Sequence, residues 1–205
     1  MTGSALLIFL DRDGVLVDPV PREGMDPEAA LRSEDVRISV GALEGLDILR
    51  ELGATVVLVS NQPAAAKCEA SLASLLEVHE RFIAILSDEG HALSGTYYCW
   101  HHPDAVESSF RGPCNCRKPQ PGLLRAAAAE LGVGGDLTAA WMVGDTDADV
   151  GAGNAVGATT ILIEHPLSAH RRTPNIETDF RAADLADAAR IIRTACLTSS
   201  RPETP

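Results

Sequence analysis

The chain has 205 residues, which is enough for one well-buried domain and too few for two of ordinary size. Its formal net charge of −12 disfavours nucleic acid or an anionic membrane surface as the main partner. No stretch approaches the roughly 18 consecutive apolar residues that a membrane-spanning helix needs. The N-terminal apolar run is too short for a signal peptide and follows no basic region, so we expect a cytoplasmic protein.

The five cysteines are unevenly distributed. Cys99, Cys114 and Cys116 lie in one loop region, whereas Cys68 and Cys196 lie in segments with helical patterns. An odd number of cysteines in a chain that is expected to be cytoplasmic argues against a disulfide framework. Clustered thiols in a reducing compartment indicate a metal site instead.

The first strand is predicted where the apolar run 6–10 ends in Asp11, Asp13 and Gly14. An apolar run of this length is typical of a buried strand, and glycine allows a sharp turn after it. In an open α/β sheet, ligands bind at the carboxyl ends of the strands. Asp-x-Asp-Gly is also an ordinary turn sequence, so this stretch alone does not decide between a turn and a catalytic site.

Strands and helices alternate through the rest of the chain. Residues 18–40 carry prolines and mixed charges, and we expect a loop there with one short helical turn near 27–31. Apolar spacing predicts helices over 41–52, 69–89, 121–131, 147–156 and 184–193. Short apolar or β-branched runs predict strands over 55–59, 95–99, 139–143 and 159–163. The alternation predicts an α/β fold, a single doubly wound parallel sheet with helices on both faces.

We expect one domain over residues 1–195 and a C-terminal tail over 196–205. Within the domain, residues 165–178 are predicted to form a loop. His79 lies on the apolar side of the predicted helix 69–89, where a half-buried structural histidine is a commoner role than a catalytic base. Because the pattern contains no exposed apolar stripe, we expect a monomer.

Three predicted strands end in short polar sets, namely Asp11 with Asp13, Ser60 with Asn61, and Asp145 with Asp149. Parallel strands present these ends along one edge of the sheet, so the three sets can meet there. Clustered carboxylates repel one another and raise each other's pKa values unless a cation lies among them. This edge therefore predicts a Mg²⁺ site formed by Asp11, Asp145 and the backbone carbonyl of Asp13.

Four motifs make the pattern more specific: Asp11-Arg-Asp-Gly, Ser60-Asn-Gln, Lys118-Pro, and Gly144-Asp145-x-x-x-Asp149. In this order they resemble the haloacid dehalogenase superfamily of phosphatases, from residue 6 to about residue 163. The resemblance implies a Rossmann-like sheet of the haloacid dehalogenase type. It also implies Mg²⁺-dependent hydrolysis of a small phosphate monoester through an aspartyl phosphate.

The resemblance implies a role for each motif residue. Asp11 would be the nucleophile, and Asp13 the general acid and base. Lys118 would neutralise charge at the reacting phosphate. Asp149 would orient the magnesium site rather than bind the metal itself. Hydrogen bonds to the substrate would come from Ser60, Asn61 and Gln62.

The loop 99–116 contains a second set of metal-binding residue types. Its Cys-x-His…Cys-x-Cys pattern consists of Cys99, His101, Cys114 and Cys116. Three thiolates and an imidazole suit tetrahedral Zn²⁺, and four protein ligands leave no open position for a reactive water. We therefore expect a structural zinc site. His102 is the alternative nitrogen ligand, and free thiols in a loop are the alternative to a metal.

This loop limits the resemblance to one subfamily of these phosphatases. Cys-x-His-His-Pro followed by Cys-x-Cys-Arg-Lys-Pro is similar to the zinc-loop phosphatases, which include heptose 1,7-bisphosphate 7-phosphatases and histidinol-phosphate phosphatases. That implies a domain without a separate cap, in which the zinc-stapled loop forms the specificity wall and Arg117 reaches the distal part of the substrate. The resemblance implies D-glycero-D-manno-heptose 1,7-bisphosphate as the leading candidate substrate, with histidinol phosphate or another sugar phosphate as the alternative.

The chain departs from these relatives near the expected substrate. Residues 63–68 replace a Ser-Gly-Ile-Ala-Arg-Gly segment, Thr146 replaces a lysine, and a Gly-Tyr-Val segment after Asp13 is missing. These departures leave the identity of the substrate undecided, whereas the phosphatase motifs are intact. Asp147 is an additional acid, which we assign to the solvated start of a helix. The rival class is a zinc-stapled binding module without catalysis, against which the acidic composition argues.

Overall fold

The computed structural model describes residues 6–199. In chain order the strands are β1 (Leu7–Leu10), β2 (Val20–Arg22), β3 (Met25–Glu28), β4 (Thr55–Asn61), β5 (Gly95–Cys99), β6 (Trp141–Gly144), β7 (Thr159–Ile163) and β8 (Phe180–Ala182). The α-helices are α1 (Ala42–Glu51), α2 (Leu72–Asp88), α3 (Gly122–Glu130), α4 (Asp147–Asn154) and α5 (Leu185–Ser199). Short 3₁₀ helices cover Ser33–Asp35, Ser108–Phe110 and Pro166–Arg171.

Six parallel strands form the main sheet in the order β5-β4-β1-β6-β7-β8. The chain passes from β1 to β4 on one side and later returns to β6 on the other side. Leu10 at the end of β1 lies opposite both Leu58 and Val143, so these three strands end close together. Such a reversal of strand order opens a crevice at the carboxyl ends, where open α/β sheets bind their ligands.

Alternate residues of β1 face the two sides of the sheet. Ile8 and Leu10 pack in the core formed with α1, α2 and α5, whereas Leu7 and Phe9 pack in the core formed with α3 and α4. All four side chains are buried. A strand that is covered on both faces appears in sequence as an unbroken apolar run, which is why β1 is predictable. The predicted α/β fold with a parallel sheet and no separate cap is confirmed.

The loop predicted over residues 18–40 is wrong for its first part, because β2 and β3 pair there as an antiparallel hairpin. The helical turn expected near 27–31 lies later, as the 3₁₀ helix over Ser33–Asp35. No residue of either hairpin strand is fully buried, so the two strands show no apolar alternation. The hairpin is far too small to be a cap domain.

The C-terminal region also differs from expectation. The predicted loop 165–178 contains the 3₁₀ helix over Pro166–Arg171, and β8 adds an edge strand that the sequence pattern did not indicate. Helix α5 continues to Ser199, past residue 195 where we expected a tail. Residues 200–205 of that predicted tail lie outside the described residues. Within 6–199, no helix combines the length and the apolar character that crossing a membrane requires.

Gly45 allows α1 to approach α5 closely. A Cβ at this position would lie 2.6 Å from the Cγ and 2.7 Å from the backbone carbonyl carbon of Leu185. We expect Gly45→Ala to lower the free energy of unfolding by about 1–3 kcal/mol, because the backbone of α5 must move. Urea unfolding measures this, with Gly134→Ala, which would meet no atom within 4 Å, as the control. An unchanged unfolding midpoint for Gly45→Ala would contradict the close packing.

Candidate active site

Three buried carboxylates meet at the carboxyl ends of β1 and β6. Oxygens of Asp11, Asp145 and Asp149 lie within 4.8 Å of one another. Two glycines permit this approach: a Cβ on Gly14 would lie 2.0 Å from Asp145 Oδ2, and one on Gly144 would lie 2.1 Å from Asp149 Cβ. The strand ends are therefore shaped to hold these acids side by side.

Lys118 places a buried ammonium group against this cluster. Its Nζ lies 2.9 Å from Asp11 Oδ1 and 2.6 Å from Asp149 Oδ1, and it donates a hydrogen bond of 2.6 Å to the carbonyl of Val59. Burial lowers the pKa of Lys118, but the charges of Asp11 and Asp149 more than offset burial, so the net pKa is raised. Lys118 is therefore a permanent cation beside the predicted nucleophile.

Asp145 carries the evidence that a metal fits this cluster. Burial raises the pKa of Asp145 well above its ordinary value, and the charges of Asp11 and Asp149 raise it further. Within residues 6–199, its buried Oδ1 has no hydrogen-bond partner. A hard divalent cation among these oxygens would satisfy that atom and offset the repulsion between the carboxylates. The donor set therefore suits Mg²⁺.

Two of the three predicted magnesium ligands lie together in this cluster. Asp11 and Asp145 lie in the cluster, and the carbonyl of Asp13 stays a predicted ligand. Asp149, predicted to orient the site, lies in the same cluster. Its Oδ2 accepts hydrogen bonds from the backbone N–H of Thr146 at 3.0 Å and from the Thr146 hydroxyl at 2.6 Å. Thr146 thus holds Asp149 at the start of α4.

Asp147 follows as the first residue of α4, as its assignment to a helix start requires. It is half-buried rather than solvated, and its Oδ2 accepts a hydrogen bond of 2.9 Å from the backbone N–H of Thr173. The carboxylate thereby ties α4 to the segment after the 3₁₀ helix 166–171. Arg172 reinforces this connection by donating to the carbonyl of Asp145 at 3.2 Å.

Asp13 is held on both oxygens. Arg12 donates from Nε to Oδ1 at 3.2 Å and from Nη2 to Oδ2 at 3.1 Å, and Gln62 Nε2 donates to Oδ2 at 2.6 Å. Arg12 is only 1% exposed and was missed by the sequence reasoning. Its position between two motif acids was the only signal, and spacing alone did not reveal that its side chain folds back over its neighbour.

The polar residues at the end of β4 form hydrogen bonds with other protein groups. Asn61 Nδ2 donates to the carbonyl of Lys118 at 3.0 Å, and the N–H of Lys118 donates back to Asn61 Oδ1 at 3.0 Å. The hydroxyl of Ser60 is buried and accepts a hydrogen bond of 3.0 Å from Gln62. Asn61 thus fixes the main chain of Lys118. Substrate binding by Ser60, Asn61 and Gln62 stays a prediction.

A cavity of about 530 Å³ opens above these groups. Asp11, Asp13 and Lys118 line it beside the strand ends. Three further cations and two hairpin carboxylates also line it: Lys67, Arg117, Arg171, Asp26 and Glu28. The cavity is thus mixed in charge, with cations available beyond the reacting group.

The zinc-type residues form a compact cluster next to this cavity, as predicted. Cys99 Sγ lies 3.8 Å from Cys114 Sγ and 3.1 Å from Cys116 Sγ, while His101 Nδ1 lies 3.3 Å from Cys116 Sγ. Two thiolates that bind one zinc at about 2.3 Å and a tetrahedral angle lie roughly 3.8 Å apart, a separation that Cys99 and Cys114 match while Cys99 and Cys116 lie closer. The set therefore suits Zn²⁺. His102 lies outside the cluster, with its Nδ1 accepting the N–H of Asp104 at 3.1 Å.

The cluster is connected directly to the cavity. Cys116 precedes Arg117 and Lys118 in the chain, and Arg117 Nη1 donates to the carbonyl of His101 at 3.1 Å. Both cations therefore lie within two residues of a zinc-type ligand. Fixing the cluster fixes the backbone that presents them.

Comparison with known proteins connects this geometry to a family. Residues 115–188 match the family described as HAD-hydrolase-like. The D-glycero-beta-D-manno-heptose-1,7-bisphosphate 7-phosphatase of Photorhabdus laumondii is 37% identical over 152 residues, covering 74% of this chain and 76% of that protein. The Escherichia coli K12 protein of the same name is 32% identical over 163 residues, covering 80% of this chain and 81% of that protein. The chain belongs to the heptose-1,7-bisphosphate 7-phosphatase family.

A solved structure agrees with this membership in the phosphatase family. The D,D-heptose 1,7-bisphosphate phosphatase of B. bronchiseptica, described as complexed with magnesium and phosphate, superposes with a TM-score of 0.75 at 26% identity. The match covers 93% of this chain and 99% of that one. The D,D-heptose 1,7-bisphosphate phosphatase of Burkholderia thailandensis, at 19% identity and a TM-score of 0.62, shares the fold.

The Cys₃His cluster predicts about one zinc per chain by elemental analysis. Replacing Cys114 and Cys116 together by serine should remove the zinc and lower the melting temperature, because metal binding is coupled to folding of the loop. Cys68→Ser is the matched control, since Cys68 is exposed and lies outside the cluster. A double variant with wild-type melting temperature and activity would contradict a structural role for the loop metal.

Proposed function

We propose that this family member removes the 7-phosphate of D-glycero-D-manno-heptose 1,7-bisphosphate. The observation that carries the proposal is the position of Lys118, whose ammonium lies between Asp11 and Asp149 beside the candidate magnesium site. Related enzymes of that name match most of the chain, and one is described as a complex with magnesium and phosphate. The adjacent cavity has room for a sugar and a second phosphate.

In the first step, an oxygen of Asp11 attacks phosphorus and the bond from phosphorus to the sugar oxygen breaks. The proton of the Asp13 carboxyl group passes to that oxygen, so the product leaves as an alcohol. Lys118 offsets the negative charge that accumulates where a carboxylate meets a phosphate. Mg²⁺ held by Asp11 and Asp145 would supply further positive charge to the phosphoryl oxygens.

In the second step, water attacks the phosphorus of the aspartyl phosphate. The Asp13 carboxylate takes the proton of that water, and the bond between phosphorus and the Asp11 oxygen breaks. Inorganic phosphate leaves, and Asp11 and Asp13 return to their starting states. One residue thus serves as acid and then as base, which requires that its carboxylate stay in one place through both steps.

Asp11→Asn tests the nucleophile. An amide of the same shape cannot form the acyl phosphate, so we expect Mg²⁺-dependent phosphate release to fall by at least about a thousandfold. Release of inorganic phosphate is the measurement. Asp47→Asn, which changes an acid on α1 whose side chain is 48% exposed, serves as the matched control. Full activity in Asp11→Asn would remove Asp11 from this role.

Arg117 is the proposed contact for the distal phosphate. It is half-buried in the cavity wall, and its fork can bind a phosphate through two hydrogen bonds. Lys67 and Arg171 line the same cavity and add positive charge. Lys67 occupies the position where relatives carry arginine, so a cation is retained there.

Histidinol phosphate is the second candidate. Asp26 and Glu28 on the hairpin line the cavity, and two carboxylates would suit the ammonium group of an amino alcohol. The negative charge of these two residues is the observation that favours histidinol phosphate. Side-by-side turnover of both substrates separates the two candidates, and faster hydrolysis of histidinol phosphate would favour the second.

Arg117→Gln should raise KM for the heptose bisphosphate by about 10–100-fold, the value of one or two charge-assisted hydrogen bonds. KM for a heptose 7-phosphate that lacks the distal phosphate should change less than about threefold. Steady-state kinetics with both substrates gives the comparison. Arg125→Gln on the exposed face of α3 is the control. Equal effects on the two substrates would contradict contact with the distal phosphate.

Two further expectations belong to this proposal. We propose a monomer, since most of the exposed large apolar side chains, including Met25, Val40 and Val106, lie in separate segments, and Leu72 and Leu76 alone share α2 among those of residues 6–199. We also propose action in the cytoplasm, where thiols stay reduced and available for zinc. A small phosphorylated metabolite, rather than nucleic acid or a membrane, is then the partner.

A further inference from the structure

We infer that Arg12, Gln62 and Tyr98 are positioning residues that hold the carboxylate of Asp13 where it meets the leaving oxygen. The inference rests on the proposed phosphatase reaction, in which Asp13 transfers protons, and it is independent of which sugar is the substrate. None of the family motifs assigns this role to these side chains. It follows from the contacts behind the active site.

The turn after β1 brings Arg12 onto Asp13. Neighbouring residues of a regular strand point to opposite faces, but here the N–H groups of Leu16 and Val17 both donate back to the carbonyl of Arg12 at 2.9 Å. Gly14 lies in this turn with a φ of 82°. The tight turn places two consecutive side chains on one side, so the guanidinium contacts both oxygens of its neighbour.

A buried guanidinium is costly unless it is paired, and its bidentate partner here is Asp13. Arg12 is 1% exposed, and Asp13 is 6% exposed. Gln62 adds a hydrogen bond of 2.6 Å to Asp13 Oδ2 while its same nitrogen contacts Ser60 Oγ. Three hydrogen bonds therefore fix the rotation of a carboxylate that also lines the cavity.

Tyr98 supports Arg12 from behind. The guanidinium carbon lies 5.9 Å from the centroid of the Tyr98 ring, and the Tyr98 hydroxyl lies 2.8 Å from His79 Nδ1. Burial raises the pKa of Tyr98 to about 12, so its hydroxyl stays neutral. The chain of contacts therefore runs from α2 through β5 to the turn after β1, and it ends at Asp13.

The effect of this network on catalysis depends on the distance between Asp13 and the leaving oxygen. A general acid must lie within hydrogen-bond reach of the oxygen that it protonates, and a displacement of about 1 Å can cost a hundredfold in rate. A network that only stabilised the fold would, when weakened, lower stability and affect all substrates alike. A network that positions the acid would, when weakened, affect poor leaving groups far more than good ones.

The experiment compares kcat/KM for an alkyl ester, glycerol phosphate, with kcat/KM for p-nitrophenyl phosphate, whose leaving group needs little protonation. This parameter reports the steps through departure of the leaving group. For Arg12→Lys we expect a loss of about 10–100-fold on the alkyl ester and less than about threefold on the aryl ester. Tyr98→Leu, which removes the ring behind Arg12 and leaves the predicted substrate contacts in place, should show the same pattern and carries the test if Arg12→Lys does not fold.

Three controls separate the outcomes. Asp13→Asn should show a larger loss with the same leaving-group dependence, and Arg12→Lys combined with Asp13→Asn should be no worse, because both act on one group. Arg50→Lys, an exposed pair partner on α1, should leave both esters unchanged. Equal losses on both esters, or no loss, would overturn the positioning role while leaving the phosphatase proposal intact. Absence of wild-type activity on both esters and on the heptose bisphosphate would overturn both proposals.

Discussion

Lys118 places a buried ammonium between Asp11 and Asp149, and the arrangement of the strand ends depends on those ion pairs. Without a cation here, two buried carboxylates would repel each other with little water to screen them, a cost of several kcal/mol per unpaired ion. The ammonium must therefore stay in place. Its backbone is fixed by the side-chain amide of Asn61, and its Nζ also donates to the carbonyl of Val59. Asn61, which is predicted to contact the substrate, thus also holds the main chain of the buried cation of the candidate site.

The zinc-type cluster extends this constraint to the cavity wall. Lys118 and Arg117 lie on a loop, and loops position side chains less precisely than strands or helices do. The cluster that contains Cys116 anchors the loop immediately before both cations, and Arg117 is bonded back to the carbonyl of His101. A closed metal site, which offers no position for reactive water, can therefore serve catalysis by fixing where positive charge lies. The consecutive residues Cys116, Arg117 and Lys118 thus connect the zinc-type cluster to the cavity.

Much of this could be predicted because the central strands are buried on both faces and end in charged residues. The hairpin β2–β3 and the edge strand β8 could not be predicted, because strands of three or four residues with at most one buried side chain have no apolar period to detect. Arg12 escaped prediction for a different reason: its partner is its neighbour in the chain, and only the tight turn after β1 brings the two side chains together. The role of Thr146 likewise depends on a hydrogen bond to Asp149 rather than on a motif.

The net charge of −12 and an anionic substrate are compatible because the two act over different distances. At physiological ionic strength, charges more than about 8 Å apart across solvent are largely screened, so the overall acidity has little influence inside the cavity. A phosphate in the cavity lies near Lys118 beside the strand ends and Arg117 in the wall. Lys118 is buried and Arg117 is half-buried, so both are shielded from salt to different degrees. A nucleic acid would instead contact a wide exposed surface, where the excess of carboxylates dominates. The same composition that disfavours an extended polyanion is therefore compatible with a small phosphate ester, provided that its binding site is narrow and its cations are fixed.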